Sequence, residues 1–217
     1  MAEAELARFI DRHTIEYVRT YPHPIERVWR AITDPTEFGV WFIPGALDGK
    51  ADGAYRFGDD NFAGVVTLFD PPRRVRFSHA SDPDAYFGYE LSEIAGGTRM
   101  RFVQHFVPGG VHTADPDDLG GDLPGGPDTP WKPGFVGGWH EFWDALGDYL
   151  DGVATGSRLP DTEFAAIARA FARTMIASGR MEQKQAKRLV LGLRRQERWN
   201  ELNKIYRAHI KATLPPA

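Results

Sequence analysis

The chain has 217 residues, 42% of them hydrophobic and 26% charged, with no cysteine and a formal net charge of −4. At that size one full domain plus an appendage can hide roughly 70% of the unfolded chain's surface, so a core needs neither disulfide nor metal. The absence of cysteine excludes thiolate metal sites, a cysteine nucleophile and a disulfide framework. No apolar run approaches the ~18 residues that would cross a bilayer.

The first residues carry acids where a secretory leader is basic, so a cytoplasmic location is expected. Ala4 to Arg12 reads as a short helical lead-in. Alternation from His13 to Tyr21, with Ile15, Tyr17 and Tyr21 on one face, predicts a first strand that Pro22 to Pro24 stops. Ile25, Val28, Trp29 and Ile32 recur at helical spacing, and a second short helix follows Asp34-Pro35 around Glu37 to Trp41. After a turn-rich stretch from Pro44 to Gly53, strand-like runs fall near 54–58, 62–69, 73–80 and 86–94, with a fifth from Thr98 to Val107. The short Gly-, Pro- and Asp-rich links between them predict antiparallel neighbours.

Residues 108–134 are dense in glycine, proline and aspartate and read as a long loop. From Phe135 the helical period returns through Trp139, Phe142, Trp143, Leu146, Tyr149, Leu150 and Val153, ending near Gly156. Two more helices are expected in the tail, one with Phe164, Ile167, Ala168, Phe171 and Met175 aligned, the other with Trp199, Leu202, Ile205, Tyr206 and His209. Ser178-Gly179 is the expected turn between them.

The strings Tyr21–Pro35, Glu37–Phe42, Gly64–Phe77, Gly97–Phe102 and Gly138–Leu150, in this order, resemble the branch of START-like (SRPBCC) proteins related to activators of the heat-shock chaperone ATPase. The resemblance covers about residues 13–152. It implies an α+β helix-grip fold: a curved antiparallel sheet of about six strands around a long C-terminal helix. To this the chain adds an α-helical C-terminal extension, dividing it into a ligand-binding domain over 1–157 and a basic helical hairpin over 158–217. The 108–134 loop is longer than the family's usual link, and the tail lies outside the resemblance. No catalytic motif is shared across that family, so function has to be argued from the site.

Strand alternation aims Tyr55, Phe57, Val66, Leu68, Val75, Phe77, His79, Phe87, Tyr89, Leu91, Met100, Phe102 and Gln104 at the long helix. The resemblance implies an apolar cleft there, roofed by Trp41 and Phe42. The candidate ligand-binding residues are Trp41, Phe57, Phe77, His79, Tyr89, Phe102, Gln104, Trp139 and Trp143; the plainer reading of each is packed core. His79 is the one candidate general acid or base. Gln104 precedes His105, and a one-residue slip in register would exchange which of them points inward.

The chain has no HExxH, no helical histidine pair with a third ligand, no phosphate-binding glycine loop and no GxSxG elbow, so no metal or cofactor is expected. Asp115, Asp117, Asp118, Asp122 and Asp128 in the long loop do not follow EF-hand spacing. Residues 160–217 carry +7 and the remainder −11. The basic tail residues Lys184, Lys187, Arg188, Arg194, Arg195 and Arg198 therefore read as a hairpin docked on its own acidic body or on a twin subunit, as a homodimer through the C-terminal helices. Nucleic acid and membrane are the weaker readings.

Three functions compete: binding of a small hydrophobic or aromatic molecule, a cofactor-free enzyme of cyclase, aromatase or hydrolase type in the same cavity, and a co-chaperone-like interaction module.

Overall fold

A computed structural model describes residues 6–58, 62–108, 131–154, 159 and 162–215. Within them the elements run β1 (Arg8–Asp11), β2 (Thr14–Tyr21), α1 (Ile25–Thr33), α2 (Pro35–Trp41), β3 (Gly45–Leu47), β4 (Ala54–Phe57), β5 (Ala63–Asp70), β6 (Arg74–His79), β7 (Asp82–Ile94) and β8 (Gly97–His105), followed by α3 (Pro133–Leu150), α4 (Glu163–Ala177) and α5 (Gln183–Thr213). The strands form one eight-stranded sheet in the order β1-β2-β8-β7-β6-β5-β4-β3. Every pairing is antiparallel. The strands from β3 to β8 are a meander, and β2 closes beside the last of them, with Tyr17 opposite Phe102 and Ile15 opposite Gln104.

The sheet has two strands more than expected. Where a helical lead-in was expected, Arg8–Asp11 is β1, because the chain turns at Arg12-His13 and pairs Phe9 with Ile15. Phe9 becomes buried against Trp131 and His209, a tertiary gain that overrides local preference. Gly45–Leu47, inside the turn-rich stretch, pairs with β4 as β3.

Leu68 was expected to face inward, but the register of β5 shifts between Val66 and Leu68, so Leu68 faces Arg76 and Phe69 faces Val75. A one-residue bulge inverts the pleat beyond it. Phe69, not Leu68, then reaches the core, with its ring 5.3 Å from that of Trp29. Register also fixes the last strand: Gln104 is buried, while His105 lies on the opposite side with Tyr86 and Thr14. The loop aspartates Asp115 to Asp128 lie outside the described residues, as does Gly156; α3 ends at Leu150, and Val153 beyond it is exposed.

α3 lies across the buried face of the sheet, turning Trp139 and Trp143 onto Phe102 at 4.4 and 4.8 Å between ring centroids. Its other side receives α5, whose Leu202, Tyr206 and Ile210 are fully buried, each worth roughly 1.5–3 kcal/mol on burial. The close approach depends on glycine. A Cβ at Gly134 would stand 2.5 Å from the Trp199 ring, and one at Gly137 would stand 3.1 Å from Leu202. α4 packs on α5 in turn, capped by Thr162, whose hydroxyl accepts from the Ala165 amide and donates to Glu197. Its buried residues are Ala165, Ala168 and Ala172, not the larger apolar residues whose alignment the sequence suggested as the packing stripe.

Candidate functional site

The sheet face under α3 carries the candidate residues, and the structure brings them into one continuous cluster. Tyr55, Gly64 and His79 lie side by side across β4, β5 and β6. Only glycine fits the middle position, because a Cβ there would meet the Ser78 carbonyl at 1.9 Å and the Tyr55 ring at 3.0 Å. That gap lets the Tyr55 hydroxyl donate to the Ser78 carbonyl at 3.0 Å.

From there the rings run without interruption. Phe57 meets Phe77, Phe77 meets Tyr89, and Tyr89 meets Phe102, at 5.9, 6.4 and 5.4 Å. Trp139 and Trp143 stack on each other at 5.3 Å and 13°, and Trp41 sits 6.3 Å from Trp143. The expected hollow is therefore occupied by side chains: the rings of this face and of α3 touch one another. An open cleft of about 710 Å³ lies at the β3–β6 end of the sheet, bordered by Ala46, Arg56, Val65 and Ser78 and also by Tyr55 and His79.

Gln104, Trp139, Trp143, His79 and Tyr89 bring polar groups into this apolar interior. Gln104 Oε1 accepts from Trp139 Nε1 at 2.7 Å, which fixes both side chains. The Trp143 indole N–H is buried without a hydrogen-bond partner among the described residues, an arrangement that costs about 1–3 kcal/mol unless an acceptor arrives. His79 lies between rings, stacked on Phe62 at 5.9 Å and 5.5 Å from Phe87. Burial pushes the Tyr89 phenol far above its ordinary value, with Tyr21 adding to the shift, and burial does the same to Tyr55. Both stay protonated near neutrality, able to donate a hydrogen bond but not to serve as a base.

One end of the cluster is less enclosed. Phe42, Phe62 and Phe142 are half-buried; Phe42 touches Phe142 at 4.6 Å, Phe62 at 6.1 Å and Trp139 at 5.7 Å. Phe42 is the roof residue that the sequence pattern indicates; Phe62, which shares the strand parity of Gly64 and Val66, and Phe142, from the apolar stripe of α3, join it there.

Behind α3, His140 is buried among groups from three other segments. Tyr206 donates to His140 Nδ1 at 2.9 Å and accepts from the Ala7 amide at 3.1 Å. Arg19 stands 3.4 Å away, and Asp144 3.9 Å from Nε2. Burial, reinforced by Arg19 and Arg198, depresses the imidazole to about 3. It belongs to the junction with α5, not to the ring-lined interior.

Among the described residues no group of three or more His, Asp or Glu is placed to hold a metal ion, and no helix is long and apolar enough to cross a membrane.

An antiparallel sheet in which β2 pairs with the last strand, gripped by one long aromatic helix, defines a START-like, SRPBCC-type protein. The chain belongs to the family described as activator of Hsp90 ATPase homolog 1-like protein, which matches residues 22–151. The solution structure of CalU16 from Micromonospora echinospora is 21% identical with a TM-score of 0.51, over 94% of this chain and 93% of that one. That span runs past the family match into the C-terminal helices. The crystal structure of CalU16 gives 20% identity and a TM-score of 0.49, over 93% and 94% of the two chains. DynU16, described as a protein in the dynemicin biosynthetic locus, is 20% identical with a TM-score of 0.49, over 66% of this chain and 49% of that one. No curated protein matches the chain.

Proposed function

We propose that this chain binds a small, largely aromatic or hydrophobic molecule between α3 and the sheet, admitted past Phe42, Phe62 and Phe142. The observation that carries the reading is the contrast between the two parts of the cluster. Fully buried rings enclose an indole donor lacking a partner, while half-buried rings close one end. A planar guest can take over the ring contacts that these three side chains make, at little loss of stacking energy. An acceptor atom on the guest would satisfy Trp143. The fold's kinship with START-like proteins fits a ligand-binding interior of this kind.

Titration with anilinonaphthalene sulfonate, alongside native mass spectrometry of the purified chain, tests the proposal. One-to-one binding is expected, and Phe42→Ala should speed both association and dissociation by opening the entrance. A folded chain that binds no probe and retains no small molecule would defeat it.

A further inference from the structure

The ring-lined interior holds a hydrogen-bond donor in excess. Four acceptors there each already receive a proton: the Gln104 side-chain oxygen from Trp139, the Val136 carbonyl from Tyr17, the Trp143 carbonyl from Tyr21 and the Ser78 carbonyl from Tyr55. The Trp143 indole N–H is left over. Its residue is 1% exposed, and the nitrogen has no acceptor among the described residues. Tyr89, whose ring meets that of Trp143 edge-on at 5.8 Å, adds a phenol that burial holds protonated. His79 is set apart from this point, among Phe62, Phe87 and Phe106.

We propose that the guest meets Trp143 with a carbonyl oxygen that carries no proton of its own, as in a polycyclic aromatic ketone or a quinone, a class that follows only if the interior binds a guest as proposed above. Such an oxygen offers its lone pairs near the plane of the ring, accepts from the indole and asks for no acceptor in return. An alcohol, phenol or amine brings a proton that must itself be satisfied while the carbonyls around it are engaged, and a buried donor without a partner is costly. A plain hydrocarbon leaves Trp143 as it is. The buried end of the guest is uncharged as well: no lysine or arginine is among the fully buried residues, so a carboxylate pressed against Trp143 would lack a counter-charge. Reach sets the size. Phe42, Trp139 and Trp143 form one stack with interplanar angles of 15° and 13°, and Trp41 borders both ends of it, 5.6 Å from Phe42 and 6.3 Å from Trp143. A single ring in the place of Phe42 stops short of the indole N–H, whereas a fused system of several rings lying along Trp41 spans the distance.

Displacement of anilinonaphthalene sulfonate from the full chain by fluorenone, fluorene and fluorenol, three tricycles of nearly one shape, is the test. Fluorenone should bind about tenfold more tightly than either of the others, the ratio that one buried hydrogen bond sustains. In Trp143→Phe, checked as folded by circular dichroism, that preference should vanish while fluorene still binds. In the isotope-labelled wild type, the Trp143 indole N–H resonance, identified by its absence from the variant, should move downfield with fluorenone and not with fluorene, a readout that does not depend on the variant's binding. Fluorene or fluorenol binding as tightly as fluorenone, or none of the three displacing a bound dye, overturns the carbonyl assignment and leaves the binding reading standing. If the dye does not bind either, both fall.

Discussion

Replacing His140 by Asn separates the titration of this buried ring from its packing. In the folded chain the imidazole is held at about 3, against about 6.5 in an unfolded one. The depressed value means that folding favours the neutral ring. Its contribution is complete above the unfolded value and is lost as pH falls through the window between the two. Between pH 7 and pH 5 the loss should be about 2 kcal/mol, from 1.36 kcal/mol per unit over the roughly 1.5 units below the unfolded value. The groups around the ring agree in sign except one: burial, Arg19 and Arg198 oppose protonation, while Asp144 at 3.9 Å favours it. Asn can present its amide oxygen where Nδ1 now accepts from Tyr206, and it does not titrate. Urea unfolding of both proteins at the two pH values gives a double difference in which the other histidines and the carboxylates cancel. The variant should lose about 2 kcal/mol less than the wild type on acidification; equal losses would show that the ring is solvated and the argument mistaken.

Gln104→Leu should cost about 1–3 kcal/mol, because the Trp139 indole N–H loses its acceptor in an apolar interior. Adding Trp139→Phe should recover part of that cost, read as a coupling energy in a double-mutant cycle by urea denaturation. Gly64→Ala should destabilise by about 2 kcal/mol or more, since its methyl group would meet a backbone carbonyl at 1.9 Å; a melting temperature equal to that of the wild type would contradict the close pairing of β5 with β6.

The meander and the grip of α3 were legible because each strand of the body carries an alternating apolar face and each link carries turn residues. Gln104 was separated from His105 only by pairing with Ile15 of β2, a contact between distant segments that local alternation does not contain. Leu68 and Phe69 exchanged roles at a bulge, which leaves no mark in a run where both neighbours are apolar. α4 misled for a related reason. Its period was right, but a helix with large residues on one side and alanines on another does not declare which side meets its neighbour, and here the alanines permitted the closer approach to α5.

The extension constrains how the ring-lined interior can open. α3 forms one wall of it, and α5 holds α3 from behind through Leu202 and Tyr206, through Trp199 over Gly134, and through Arg195 and Arg198 toward Glu141 and Asp144. Lifting α3 from the sheet would expose its ring-bearing face and displace the α5 packed behind it, forfeiting several side chains' worth of burial at roughly 1.5–3 kcal/mol each. Rotating Phe42, Phe62 and Phe142 exposes one edge of the cluster and leaves the α3–α5 contact intact. If the chain binds a guest as proposed, entry belongs to the α2 end and the start of β5, and substitutions at the α3–α5 contact should change stability without changing the rate at which a probe enters.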